Sequence, residues 1–108
     1  SSSSALVCAA ALAAQTALDL PKKSETELAN ACCRAERFVG TMGGGMDQAA
    51  SFLASEGEAL VIHFSPELSC ERLSLPPGAV FVVANSLSSS FKAGHMHPFN
   101  VRVVECRV

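Results

Sequence analysis

The chain has 108 residues, which allows one domain at most because hydrophobic cores of this size rarely divide. Apolar residues make up 49% of it and charged residues 17%, a balance typical of a globular protein rather than a disordered one. Its eight Lys and Arg residues are scattered, so the sequence excludes the basic cluster that nucleic-acid binding needs.

The first predicted element is a helix that starts from the serine run 1–4 and continues through an apolar stretch, Ala5 to Leu18. Serine hydroxyls can accept hydrogen bonds from the free amide groups of a first helical turn. Pro21 disfavours the helical conformation before it, so the helix is expected to end near Leu20. The apolar stretch is shorter than the roughly 20 residues of a membrane span. We therefore expect a buried helix and neither a membrane anchor nor a signal peptide.

A second helix is predicted from Ser24 to about Phe38 or Val39, with Gly40 as its stop. Ser24 and Glu27 form a capping-box pattern, and apolar residues then recur at helical spacing. Both signals are local, so this is the most strongly specified helix of the chain.

The second half of the chain is predicted to be mainly extended, with strands at 60–64, 72–75 and 79–84. The last of these is a continuous apolar run, typical of a strand covered on both faces, and the Pro-Pro-Gly sequence at 76–78 supplies the turn before it. The spacing in 99–108 permits either a helix or a strand.

Neither end of the chain resembles a natural terminus, since it begins within a helix cap and stops without a polar tail, so we expect an interior piece of a longer protein. Five cysteines, an odd number without Cys-x-x-Cys spacing, favour reduced thiols and a cytoplasmic location. His95 and His97 have no third metal ligand near them, and an exposed loop is the simpler interpretation.

Three consecutive glycines, Gly43, Gly44 and Gly45, cost backbone entropy and are typical of a loop that approaches a ligand or adopts positive φ. Asp47 follows them at the start of a predicted short helical turn, where the helix dipole favours an ionised carboxylate. Such a carboxylate can orient or deprotonate a hydroxyl, or it can simply cap the helix. The serine run 1–4 has three interpretations: phosphate or Mg²⁺ binding, a simple helix cap, or a solvated linker.

Four ordered segments carry a family resemblance; they are Ser1-Ser2-Ser3-Ser4-Ala5, Glu36-Arg37-Phe38-Val39-Gly40, Gly43-Gly44-Gly45-Met46-Asp47-Gln48 and Ala84-Asn85-Ser86. Together they resemble the motifs of the GHMP kinase superfamily and, within it, the galactokinases. The closing run 99–107 and the glycine triplet are most similar to N-acetylgalactosamine kinase. The resemblance implies an α+β fold, part of the GHMP kinase N-terminal domain of the ribosomal protein S5 domain 2-like type, with helices packed on one face of a mixed β-sheet.

The resemblance also implies a function, ATP-dependent phosphorylation of the anomeric hydroxyl of galactose or N-acetylgalactosamine in the presence of Mg²⁺. The implied ATP-binding residues are Ser1, Ser2, Ser3, Ser4 and Lys92. Ser3 and Glu36 would be the Mg²⁺ ligands. Asp47 would act on the sugar hydroxyl, and Gly44 would contact the sugar through its backbone. This division suits phosphoryl transfer, which depends mainly on positioning and charge neutralisation.

Two departures from the family pattern, Met42 and the loop 94–98, leave the choice of sugar open. The motifs present are equally compatible with a sensor that binds sugar and ATP without turnover. A third possibility is an unrelated small α/β domain with a serine cap and a flexible glycine loop. On the family interpretation the partners are a small-molecule sugar and ATP, with no nucleic acid and no membrane, and we expect the 108 residues to be inactive alone.

Overall fold

The computed structural model describes residues 2–89 and 92–106. Within these ranges the elements, in chain order, are α1 Ser2–Ala17, α2 Glu25–Arg37, α3 Met46–Leu53, β1 Glu58–His63, β2 Ser69–Ser74, a 3₁₀ turn Lys92–His95 and α4 Met96–Glu105. The described chain is therefore α+β, with helices and a small antiparallel sheet segregated along the sequence.

Helix α1 includes the serines of its first turn and is ended by a left-handed residue. Residues 2–4 are already helical, so these three serines of the run lie inside the helix instead of preceding it. At the other end the Leu20 amide donates to the Gln15 carbonyl at 3.0 Å, and Asp19 has a φ of 46°. This is the Schellman pattern, which closes the helix after Ala17, before Pro21 is reached.

The expectation that α1 is buried is wrong. Ser4 and Cys8 are its buried residues, whereas Leu6 is 72% and Leu18 67% exposed. The apolar side chains of α1 itself point to all sides of the helix, whereas α2 and α3 cover only one side. The leucines on its other sides are therefore exposed. No helix in the described ranges combines the length and apolarity needed to cross a membrane.

Helix α2 confirms the predicted capping box. The Ser24 amide donates to Glu27 Oε2 at 2.8 Å, and the Glu27 amide donates to Ser24 Oγ at 3.2 Å. The hydrogen bonds from the backbone and then the hydroxyl of Ser24 lower the pKa of the Glu27 carboxyl. At the other end Gly40 adopts a φ of 99°, which confirms it as the stop.

The three helices α1, α2 and α3 pack on one another around small side chains. Cys8, Ala29, Cys32 and Ala49 are each at most 4% exposed. Small contact residues allow helix axes to approach closely. Burial, followed by the neighbouring Cys8 thiol, raises the pKa of the Cys32 thiol to about 11.

Strands β1 and β2 form an antiparallel pair in which Leu60 lies opposite Arg72 and Ile62 opposite Cys70. The sequence placed these strands at 60–64 and 72–75, so their existence is confirmed and their boundaries shift by one to three residues.

Arg72 connects this hairpin to the end of α3. Its guanidinium forms an ion pair with Glu58 at 3.1 Å, donates to the Leu53 carbonyl at 3.5 Å and also donates to the Ser55 hydroxyl. A cation at the carbonyl end of a helix interacts favourably with the helix dipole. The hairpin thereby holds the last turn of the helix that carries Asp47 at its first turn.

The predicted strand at 79–84 is wrong. Val80, Phe81, Val82 and Val83 lie in an irregular segment and are 73% to 95% exposed. A strand needs a partner for its backbone amides and carbonyls, and ranges 2–89 and 92–106 contain no third strand to supply one. The described sheet is consequently two-stranded and antiparallel, and not mixed.

The ambiguity at 99–108 is resolved as helix, because α4 runs from Met96 to Glu105; residues 107 and 108 lie outside the described ranges. The chain is less compact than a typical domain of its length. Its radius of gyration is 15.8 Å, against about 13 Å for a compact domain of 100 residues. Its accessible surface is 8354 Å², against about 5,700 Å² for a compact monomer of this size.

Candidate functional site

The glycine triplet combines one constrained glycine with two open ones. Gly45 is the N-cap residue of α3 with a φ of 93°, and a Cβ placed on it would lie 3.0 Å from Cys33 Sγ. Both its backbone conformation and its contact with α2 therefore require glycine. A Cβ on Gly43 or Gly44 would meet no atom within 4 Å. The backbone at Gly44 is exposed, which leaves room for a ligand to approach it.

Asp47 lies in the first turn of α3, one position beyond its first residue. Because Gly45 is the N-cap, the alternative in which Asp47 merely caps the helix is wrong. Asp47 is half-buried at the N-terminal, positive end of the helix dipole. This position places an acidic side chain three residues along the chain from the open backbone of Gly44.

One residue from each of the first three helices meets in a cluster that we call the polar junction: Ser4 of α1, Glu36 of α2 and Gln48 of α3. Ser4 Oγ donates to Glu36 Oε2 at 2.8 Å. Gln48 Nε2 donates to the same oxygen and lies 3.4 Å from Ser4 Oγ. Ser4 is 5% and Gln48 4% exposed, while Glu36 is half-buried. The junction is thus a polar centre in the packed interface of three helices.

The polar junction uses one oxygen of the Glu36 carboxylate. Both donors bind Oε2, and among the groups that the structure describes none donates to Oε1. No Lys or Arg whose side chain is described forms an ion pair with Glu36. Both donors are neutral groups, and a hard cation such as Mg²⁺ prefers carboxylate oxygen ligands.

The predicted phosphate-binding serines lie next to the polar junction. Ser2 and Ser3 are exposed in the first turn of α1, and Ser1 lies outside the described residues. Amide groups in a first helical turn have no partner within the helix and can bind an anion. The Ser4 hydroxyl, in contrast, is occupied by Glu36. The structure therefore brings the serine end of α1 and the Glu36 carboxylate together through Ser4.

Ser3 and Glu36 fit Mg²⁺ by the chemistry of their oxygens and would supply two ligands. No group of three or more His, Cys, Asp and Glu side chains that could hold a metal occurs in the described part of the chain. Mg²⁺ commonly uses one or two protein oxygens and completes its shell with phosphate oxygens and water, so a two-ligand set is chemically sufficient.

Lys92 begins the 3₁₀ turn, and the structure describes its backbone but not its side chain. Its contact with the nucleotide stays a prediction.

Sequence reasoning missed Asn100. Its Nδ2 donates to the Gly40 carbonyl at 2.8 Å, and its Oδ1 accepts from the Met42 amide at 2.9 Å. A side chain of α4 thus holds both sides of the turn that leads into the glycine triplet. A cavity of about 540 Å³ lies alongside, lined mainly by apolar surface; its residues are Gly40, His97, Asn100, Val101, Val104 and Glu105.

Sequence reasoning also gave Gln48 no role. The available signal was its position: Gln48 lies one helical turn before Phe52 and beside Ala49, so it is a polar residue at the packed side of a short helix. A buried amide requires a hydrogen-bonding partner, but nothing in the spacing identifies Glu36 as that partner.

Residues 1–55 match the model of the GHMP kinases N terminal domain. This range contains α1, α2, the glycine triplet, α3 and the whole polar junction. The chain is 46% identical over 110 residues to a galactokinase of Dictyostelium discoideum, a match that covers 100% of this chain and 22% of that protein.

Two fungal galactokinases are similar as well. That of Saccharomyces cerevisiae is 39% identical over 113 residues, covering 97% of this chain and 21% of the relative. That of Candida parapsilosis is 35% identical over 111 residues, covering 100% of this chain and 22% of the relative. The chain spans about a fifth of the length of the curated relatives it matches.

Proposed function

We propose, since this chain belongs to the GHMP kinase family, that it forms part of an ATP-dependent sugar kinase. Its substrate would be galactose or N-acetylgalactosamine, phosphorylated on the anomeric hydroxyl. The galactokinase relatives support the sugar kinase class. The observation that carries the proposal is the polar junction, which sets the Glu36 carboxylate beside the serine end of α1. Gln48, the member of the junction on α3, directly follows Asp47 in the sequence.

The described residues divide into a phosphate side and a sugar side. The free amide groups of the first turn of α1 bind phosphate oxygens of ATP, and Ser3 and Glu36 hold Mg²⁺. Bound Mg²⁺ would neutralise charge on the transferring phosphate. On the sugar side the exposed backbone of Gly44 contacts the sugar, and the Asp47 carboxylate orients its hydroxyl or accepts the proton.

We also propose that the chain is a partial domain, belonging to a larger GHMP kinase N-terminal domain of the ribosomal protein S5 domain 2-like type. Its large accessible surface supports this, as does the two-stranded sheet, since an isolated pair of strands is marginally stable in water. All five cysteines are free thiols, which supports a cytoplasmic location. Sugar and ATP are the proposed partners.

The test uses the complete protein with Asp47→Asn and, as a matched control, Asp19→Asn. Both changes remove one carboxylate charge, but Asp19 lies at the far end of α1 in a conformation that asparagine also tolerates. We expect Asp47→Asn to lower kcat for ADP release by about 10²-fold or more, with sugar binding retained, because positioned acid–base groups contribute about 10²–10⁴-fold. The control is expected to match the wild type.

Both galactose and N-acetylgalactosamine should be tested. Near-normal turnover of both sugars by Asp47→Asn would show that Asp47 is not the sugar-side carboxylate. A wild-type protein that binds sugar and ATP but releases no ADP would instead be the sensor.

A further inference from the structure

Gln48 is a buried polar side chain without a task in the function proposed above. It is 4% exposed, and its amide donates to Glu36 Oε2. Burial of an amide is unfavourable unless its hydrogen bonds are made, so this side chain is held in place by the carboxylate. The dependence runs both ways: a half-buried carboxylate needs donors that satisfy it.

We infer that Gln48 and the Ser4 hydroxyl are a positioning pair for Glu36. Two donors from different helices converge on Oε2, which fixes the rotation of the carboxylate and directs the other oxygen, Oε1, away from the pair. The inference rests on the proposed function, in which Glu36 binds Mg²⁺. Ligand carboxylates are themselves commonly held by hydrogen bonds of this kind.

The chemistry of the two donors matters as much as their geometry. An amide and a hydroxyl hold the carboxylate without cancelling its charge, whereas an Arg or Lys partner would compete with a metal ion for it. The pair therefore orients Glu36 without placing a competing cation on it.

Gln48 also joins the two sides of the site. It directly follows Asp47, so their Cα atoms are about 3.8 Å apart, and successive side chains of a helix point about 100° away from each other. The bond from Gln48 to Glu36 thus anchors the first turn of α3 to α2. The carboxylate on the sugar side and the carboxylate on the metal side are held in one arrangement.

The test substitutes Gln48→Met in the complete protein, which keeps side-chain length and removes the N–H donor. The probe is the Mn²⁺ complex of a non-hydrolysable ATP analogue, whose Kd is measured without turnover by electron paramagnetic resonance. We expect that Kd to rise by about tenfold, the lower end of the usual effect of groups that orient metal ligands. The affinity for the same analogue in EDTA and for galactose is expected to stay within twofold.

Two further variants separate orientation from folding. Leu53→Ala is the packing control: Leu53 is buried at the other end of α3, away from the polar junction, so this variant should melt at a lower temperature with unchanged Mn²⁺-complex affinity. Ser4→Ala removes the second donor and retains a good helix former, so it carries the test if Gln48→Met does not fold. We expect it to weaken the Mn²⁺ complex several-fold as well.

A metal-free measurement reports the contact itself. In EDTA, the melting temperatures of Gln48→Met, Glu36→Met and the double variant should be non-additive, with the double variant close to the more destabilised single variant, because each change removes one partner of the same hydrogen bond.

The outcomes distinguish this inference from the proposed function. The positioning pair alone would be overturned if Glu36→Gln bound the Mn²⁺ complex more weakly while Gln48→Met kept wild-type affinity. If Gln48→Met does not fold, the same comparison is made with Ser4→Ala. Equal weakening in Leu53→Ala would overturn it too, since the effect would then be a general loss of packing. Wild-type affinity in Glu36→Gln would instead remove the metal role that the proposed function gives to Glu36.

Discussion

Gly45 is the position where a single added carbon should have the clearest effect on the site. It caps α3 with a φ of 93°, and a Cβ there would lie 3.0 Å from Cys33 Sγ and 3.6 Å from Phe64 Cε1. Gly45→Ala therefore introduces a left-handed alanine and a tight contact at once. Both effects act on the turn that carries Asp47 into place.

The magnitude follows from three contributions. A left-handed non-glycine residue costs roughly 1–2 kcal/mol. Overpacking a filled contact costs about 1–3 kcal/mol, here at the low end because Cys33 Sγ needs to move only a few tenths of an ångström. Alanine also lowers the conformational entropy of the unfolded chain relative to glycine, which offsets about 0.4–1 kcal/mol of the loss. We expect a net loss of about 1–2.5 kcal/mol in the free energy of unfolding.

The assay is thermal unfolding of the complete protein, in which this loss should lower the melting temperature of the domain by roughly 2–10 °C. Gly44→Ala is the matched control, since Gly44 has no positive φ and no atom within 4 Å of an added Cβ. It should unfold within about 0.5 kcal/mol of the wild type. Adding Cys33→Ala to Gly45→Ala should relieve the contact and leave the backbone strain.

The reasoning would be refuted by equal melting temperatures for Gly45→Ala and Gly44→Ala. A Cys33→Ala change that gave no relief in the Gly45→Ala background would refute the steric contribution alone.

Two further predictions concern residues that hold the site from outside it. Asn100→Ala removes both hydrogen bonds to the turn at Gly40 and Met42 and should destabilise the protein by about 1–2 kcal/mol in urea unfolding; stability equal to the wild type would contradict this. The pKa of the Cys32 thiol is about 11 in the folded protein against 9.0 in the unfolded chain. The contribution of this shift to the free energy of unfolding is therefore complete below pH 9 and is lost as the pH rises to 11. Relative to Cys32→Ala, the wild type should lose about 2–3 kcal/mol of unfolding free energy across that interval, and parallel curves for the two proteins would contradict the shift.

The elements that the sequence predicted well are those specified by neighbouring residues. The capping box of Ser24 and Glu27 lies within one helical turn, and the structure reproduces both of its hydrogen bonds. Gly40 as a helix stop is equally local, because a positive φ suits glycine wherever the helix must end. Such features depend on short-range sterics and hydrogen bonding, which the sequence states directly.

The elements that the sequence predicted poorly depend on contacts between residues that are far apart in the chain. The run 79–84 has the composition of a buried strand, but a strand forms only where another strand pairs with it, and the described residues do not supply one. The apolar character of α1 predicted burial, yet burial depends on how many of its sides other elements cover. Composition reports a preference, and the surroundings decide whether it is satisfied.

The candidate site shows the same division. The sequence alone predicted the serine run, the glycine triplet, Glu36 and Asp47 as candidate site residues, since these lie in recognisable motifs whose chemistry suits phosphoryl transfer. The tertiary structure decided that Gly45, and not Asp47, caps α3, and that Gln48 and Ser4 share one oxygen of Glu36. Those contacts join residues 12 to 44 positions apart. Hydrogen bonds of that range are set by the packing of whole helices, which no local pattern in the sequence encodes.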